Sequence, residues 1–536
     1  MAVHLSDNSE FKWQQDNHVY CCGYAFDDSG LLNASQLAKK FSKLDKADDW
    51  ISHLDQLSGV FAIISETGGS IKAAVDSVRS IPLFFTRQKG EWHISNSAIT
   101  LQEKFSFADI NYHSAAEYLL TGYVTGPNTL FPDIKQVQAG EFIELSDDSF
   151  RHRYFEFVQK KDFECSYDDL IDKLHETHLR IFRQLIKSLD GRTAVIPISG
   201  GFDSRLIAYM LETLEYEPIQ YFTYGDPGNW ESKIAEEVTD LFDRELIYIP
   251  YSDKSEYESF KSDERKEYSI TGGNLSSHSI IQDFHATGKL RKNDLIPQNS
   301  ILIPGHSGGL LAGMHTPRQF IAQSSVSRNE LVSHIFNVNF TRFKWQSTDL
   351  HHYFTDKIVN LLNLPEKLTS KEAISNYEKW IWQERQGKYI VNSLRTYDYW
   401  GYEWRIPLLD KQLMEFWLKV PVEPRAKRDL YIDYINKYFN YNVTPANSKK
   451  INKFLDKYNP FTNSRYGRFI GEFGLLNLIS KRVKDIIELD RLNFPFIKSD
   501  NRILLEKPPA LTSLYFINEI LETTNAEFVS DNLTKK

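Results

Sequence analysis

Cysteine is scarce in this sequence: 536 residues carry three, Cys21, Cys22 and Cys165, two of them adjacent. Three thiols cannot build a disulfide framework, and such usage fits a reducing compartment. Basic residues are outnumbered as well, 63 Lys and Arg against 72 Asp and Glu, for a formal net charge of −9. Nucleic acid is therefore excluded as the main partner, because neutralising phosphate needs a basic surface. No apolar run approaches the ~18 residues of a membrane span. Met1 to Glu10 holds Asp7 and Glu10 and no apolar stretch, so no secretory signal is expected and the cytoplasm is the expected compartment. Internal repeats and low-complexity tracts are missing too.

What is present suits a large folded chain. Hydrophobic residues make up 41% and charged residues 25%, with 28 Tyr, 35 Phe and 10 Trp to fill cores. The length calls for two or more domains, expected at 1–155 and 156–536. The first part reads as strands and turns: Gly59 to Ile64, Ile81 to Phe85, and the alternating Gly140 to Leu145. From Tyr167 a helical apolar spacing runs to Gly191. Strands are then expected at Thr193–Ile198, Ile219–Tyr224, Leu246–Tyr251 and Ser300–Pro304, with helices at Leu206–Leu214 and Trp230–Phe242 between them. Short apolar strands alternating with helices predict an α/β fold with a parallel sheet covered on both faces.

The strongest local signal is Ser199-Gly200-Gly201-Phe202-Asp203-Ser204, set between a strand and a helix expected to begin near Arg205. Glycines let backbone approach an anion, and a helix start offers unpaired N–H groups at the positive end of its dipole. Ser199 and Ser204 add hydroxyls, and Asp203 beside a phosphate calls for a bridging Mg²⁺. Five fixed residue types coincide by chance in about one chain per thousand. Neither G-x4-G-K-[ST] nor G-x-G-x-x-G is present, so the kinase-type and dinucleotide loops are excluded.

This Ser-Gly-Gly-x-Asp-Ser loop resembles the pyrophosphate loop of the asparagine synthetase family, which cleaves ATP to AMP and pyrophosphate. Other segments agree in order: Leu57 to Ala62, Asp76 to Leu83, Gly122 to Phe131, Ile303-Pro304-Gly305-His306-Ser307-Gly308, and Glu403-Trp404-Arg405-Ile406-Pro407-Leu408-Leu409-Asp410. The resemblance implies a C-terminal PP-loop synthetase domain (HUP-type, like the adenine nucleotide alpha hydrolases). Before it would stand a smaller, mainly-β, degenerate Ntn-hydrolase-like glutaminase domain. It implies ATP and Mg²⁺ as cofactors, nucleotide contacts at Ser199, Gly200, Gly201, Asp203, Ser204 and Gly305, and Asp203 as metal ligand.

The departures from that family carry expectations of their own. Residue 2 is Ala, and Val19 to Tyr24 resembles a strand well inside the family's glutaminase domain, so its nucleophilic cysteine and opening segment are expected to be missing. Cys21 and Cys22 read as core residues, and glutamine hydrolysis is not expected. The family's glutamate falls on His306, a candidate general base titrating near the working pH. Its metal-binding aspartate falls on Gly309, which cannot ligate. Lys449 or Lys450 is the candidate for the lysine that stabilises phosphate charge. Arg405 and Asp410 read as packing residues. The implied activity is an ATP-dependent, AMP-forming carboxylate–amine ligase. Its partners would be a small-molecule or glycan carboxylate and an amine or ammonia. Amidation of a sugar acid in polysaccharide biosynthesis is one substrate reading, and an oligomer is compatible with it. Two alternatives stand beside it: a catalytically impaired nucleotide-binding scaffold or regulatory protein, and an intramolecular amide-forming cyclase of the lasso-peptide or β-lactam type.

Overall fold

Near-continuous apolar segments of the first 153 residues become strands buried on both faces. Ser58–Thr67 and Ser70–Val75 pair antiparallel, with Ile63 opposite Ala74, and almost every side chain between Val60 and Val75 is enclosed except around the Gly68-Gly69 turn. The computed structural model describes residues 1–7, 10–342, 347–439, 508–524 and 526–529. In it these strands centre an antiparallel sheet running Phe150–Arg153, Glu141–Leu145, Ser70–Val75, Ser58–Thr67, Val19–Asp27, Gln14–Asp16, with Gly30–Asn33 also on Val19–Asp27. A second sheet orders Ala2–His4, Glu91–Ser95, Phe84–Gln88 and Lys135–Gln136. Trp50, on the helix Ala47–Gln56, sits 5.7 Å from Phe142 and 4.8 Å from Phe41, so helices cover one face of the first sheet.

The second half opens with α1 (Tyr167–Leu189). Ser166 caps it in a reciprocal box with Asp169, and Leu170, Leu174, His178, Ile181, Phe182 and Leu185 form its buried stripe. Five parallel strands follow: β1 (Ala194–Pro197), β2 (Ile219–Gly225), β3 (Leu246–Pro250), β4 (Ile301–Leu302) and β5 (Glu403–Trp404). Their spatial order is β3-β2-β1-β4-β5. The α/β fold and the parallel sheet are as the alternation predicts. The fifth strand is not, because Glu403–Trp404 lies in a mixed polar and aromatic stretch, whereas the equally short β4 sits in the apolar run Ile301 to Pro304.

The strand order places a site. From β1 the chain moves outward to β2 and β3, then returns to the other side of β1 at β4. At such a reversal the loops leaving the two strands diverge and open a crevice beyond their carboxyl ends. Here those loops are Ile198–Gly201 and Ile303–Ser307.

The halves are joined by buried polar contacts. Ser58 Oγ donates to Asp410 at 2.9 Å, Trp382 Nε1 to the carbonyl of Ser77 at 3.0 Å, and Arg395 to the carbonyl of Ser80 at 3.0 Å. Arg405 donates to Ser188 and Glu403 and covers the Tyr24 ring at 4.5 Å. Arg405 and Asp410 thus lock packing between halves. The segment Ile381–Ile390 winds as a π-helix. Within it Lys388 donates to Glu384 at 2.5 Å and to the carbonyl of Gly126 at 2.6 Å, while Glu384 accepts the N–H of Gly126 at 2.8 Å. Among the described residues no helix is long and apolar enough to cross a membrane.

Candidate active site

The Ser199–Ser204 segment is preformed by its own side chains. The N–H of Ser199 donates to Ser204 Oγ at 3.1 Å, and the N–H of Gly201 donates to Ser199 Oγ at 3.2 Å. Helix α2 (Phe202–Thr213) begins three residues earlier than the sequence suggests, with Gly201 as its extended N-cap. An acidic residue in the first turn favours a helix start, so Asp203 stabilises the beginning of α2. Asp203 and Ser204 therefore sit in that first turn, where backbone N–H groups have no intrahelical partner.

The loop after β4 closes on the loop after β1. A Cβ at Gly305 would stand 2.7 Å from the backbone nitrogen of Ser204, and one at Gly308 would stand 2.9 Å from Asp203 Oδ1. At Gly305 the two backbones touch, and at Gly308 the Asp203 carboxylate and Leu408 fill the space a side chain would take. Asp203 Oδ2 accepts the N–H of Gly309 at 3.0 Å, and Oδ1 accepts the hydroxyl of Tyr431 at 2.9 Å. Burial raises the Asp203 pKa, and the Gly309 N–H, Tyr431 and the Arg428 charge pull it back. The Gly308 N–H adds to the pull on the same carboxylate, so protein donors reach it from residues 308 and 309 and from Tyr431.

His306 lies between those glycines. Its Nε2 is 2.8 Å from Ser393 Oγ, and that hydroxyl donates onward to the carbonyl of Ile390 at 2.7 Å. The donor in the His306–Ser393 pair is set by the tautomer of the ring. Among the described residues Nδ1 is buried with no partner. Ser307, at φ 150°, is held by its hydroxyl donating to Gln386 at 2.7 Å. Burial lowers the His306 pKa to about 4. That direction runs against the expectation of a base titrating near neutrality, because a charged imidazole would lose hydration there.

A folded-state pKa below the unfolded value makes neutral His306 destabilising as acid is added. The unfolded chain binds the extra proton between about pH 6.5 and 4, so up to about 3 kcal/mol is lost across that window. Urea midpoints should fall from pH 7 to pH 4.5, and fall less steeply in His306→Gln. Equal slopes would show that the ring is not held neutral.

The structure thus brings together Ser199, Gly200, Gly201, Asp203, Ser204, Gly305 and His306 on two adjoining loops at the strand reversal. Lys449 and Lys450 lie outside the described residues. Tyr431, Ser393 and Gln386 were not singled out in the sequence. Only the spacing Tyr431, Tyr434, Tyr438 hinted at a buried helix face. Among the described residues no group of three or more His, Cys, Asp or Glu could hold a metal. Any Mg²⁺ would share Asp203 with nucleotide phosphates and water. Cys21 and Cys22 are 0% and 1% exposed, and burial raises both thiol pKa values well above the ordinary range.

Residues 49–156 match the family model of a glutamine amidotransferase domain. That segment is glutamine amidotransferase-like. No curated protein matches the chain. Among solved structures, the allosteric regulatory enzyme of purine biosynthesis aligns at 10% identity over 53% of this chain and 70% of its own, with a TM-score of 0.17. Glutamine phosphoribosylpyrophosphate amidotransferase from B. subtilis, complexed with ADP and GMP, aligns at 10% identity over 47% and 76%, with a TM-score of 0.16. Superpositions this loose carry no argument about the site.

Proposed function

We propose that this chain is an ATP-dependent carboxylate–amine ligase of the asparagine synthetase type, whose amidotransferase-like half does not hydrolyse glutamine. The observation that carries it is the Ser199–Ser204 loop standing at the strand reversal of a parallel sheet, in one chain with an amidotransferase-like domain. A substrate carboxylate oxygen would attack the α-phosphorus of ATP, breaking the bond to the β-phosphate bridging oxygen. Pyrophosphate would leave against the Gly200 N–H and the N–H groups of the first turn of α2. An amine would then attack the acyl carbon, expelling AMP and releasing its proton to solvent or to a basic group. With Cys21 and Cys22 sealed in the core, the amine is supplied as ammonia, as a second substrate or from within the same substrate. A uronic acid is one carboxylate class to test.

The test is AMP and pyrophosphate release from Mg·ATP, with aspartate plus ammonia set against a panel of uronic acids and amines. Release with any pair is the expected result. Tight nucleotide binding with no release across the panel would favour a second reading, a nucleotide-binding scaffold. Its support is the pair of protein donors already on Asp203 and the glycine at 309.

A further inference from the structure

Helix α3 (Asp429–Tyr438) belongs to neither loop of the crevice, yet it is fastened to the phosphate loop at two points. Near its start the Tyr431 hydroxyl donates to Asp203 Oδ1 at 2.9 Å. At its end the carbonyl of Tyr438 accepts the hydroxyl of Tyr209, two turns along α2 from Asp203, at 2.8 Å. Its other tyrosines anchor it to α1: Tyr434 stacks on His178 at 5.0 Å and Tyr438 on His175 at 3.8 Å. Tyr431 is 2% exposed, with Trp417 edge-on at 6.4 Å. The hydroxyl is the polar end of an otherwise packed side chain, and it is spent on the one carboxylate of the loop.

A free aspartate rotates about χ2, so its oxygens present to a cation only part of the time. Two donors from opposite sides remove that freedom. Gly309 N–H holds Oδ2 from the loop after β4, and Tyr431 holds Oδ1 from α3. We propose that Tyr431 is a positioning residue: its hydroxyl fixes the Asp203 carboxylate so that the remaining lone pairs face a divalent ion arriving with nucleotide phosphates. This rests on the nucleotide reading of the Ser199–Ser204 loop. A side chain so placed contributes to metal-dependent affinity and leaves the metal-free contact of phosphates with backbone N–H groups untouched.

The test compares wild type with Tyr431→Phe, which keeps the ring and its packing. ATP affinity is titrated calorimetrically with Mg²⁺ and again in EDTA, and thermal midpoints are recorded without nucleotide. The expected result is about a tenfold loss of affinity with Mg²⁺, the scale of one hydrogen bond to a charged group, and no change in EDTA. Equal affinities for the two proteins in Mg²⁺ would overturn the positioning role while leaving the nucleotide site standing. Equal losses with and without Mg²⁺ would also overturn it, making Tyr431 a packing residue. A wild type that binds no nucleotide under either condition would sink the nucleotide reading, and the positioning role with it.

Discussion

Asp203→Ala should abolish Mg²⁺-dependent nucleotide binding and turnover, with losses on the order of 10²–10³ or more, while the protein stays folded. The size follows from position. Asp203 is the loop's only carboxylate, it stands in the first turn of α2, and it ties the loop after β4 to the loop after β1 through the Gly309 N–H. Removing it takes away the candidate metal ligand and leaves the Gly309 N–H and the Tyr431 hydroxyl without their acceptor. Losing an acidic residue from the first turn costs the helix about 0.3–1 kcal/mol and each orphaned donor about 1–3 kcal/mol, so the thermal midpoint of the variant is recorded beside its binding to check that it is folded. Binding of Mg·ATP at wild-type strength by Asp203→Ala would remove the phosphate-loop assignment altogether.

The largest stability effect is expected far from that loop, at Lys388. Lys388 and Glu384 are both 1% exposed, and the pair holds the N–H and carbonyl of Gly126. Burial lowers the Lys388 pKa, whereas the lysine charge keeps Glu384 ionised in spite of burial. Lys388→Met would leave a buried carboxylate hydrogen-bonded, among the described residues, by the Gly126 N–H and Gln383, with the Arg79 and Arg153 charges nearby. Breaking one side of such a pair costs about 3–5 kcal/mol. Chemical denaturation should register that loss, and Glu384→Gln added to Lys388→Met should recover part of it. A loss below about 1 kcal/mol would mean that water reaches the pair and that the π-helix is not anchored by it.

Much of the fold was legible because it is written in short-range pattern. Apolar runs such as Ala194–Pro197 and Ile219–Gly225 have the composition of strands covered on both faces, and the Ser166–Asp169 capping box marks the start of α1 within four residues. The Gly200-Gly201 turn likewise declares an anion-binding backbone. Errors fell where local pattern is ambiguous. Helix α2 starts at Phe202 rather than near Arg205, because the residues that would line an anion site are also good helix-start residues. Glu403–Trp404 escaped notice because it lies in a mixed polar and aromatic stretch and is a strand only through its pairing with Ile301–Leu302.

By itself, then, the sequence determined the alternation that makes a parallel sheet, the glycine-rich turn between its first strand and α2, the acidic balance and the apolar setting that buries Cys21 and Cys22. Tertiary structure alone decided what surrounds those groups. The β3-β2-β1-β4-β5 order brings Gly305 and Gly308 against Asp203 from 100 residues away. The helix Asp429–Tyr438 adds the Tyr431 hydroxyl, and Ser393 supplies the partner of His306 Nε2. The reason is physical. Periodicity and propensity act over a few residues, whereas the dielectric, the hydrogen-bond partners and the protonation of a buried side chain are set by whichever distant segments close around it.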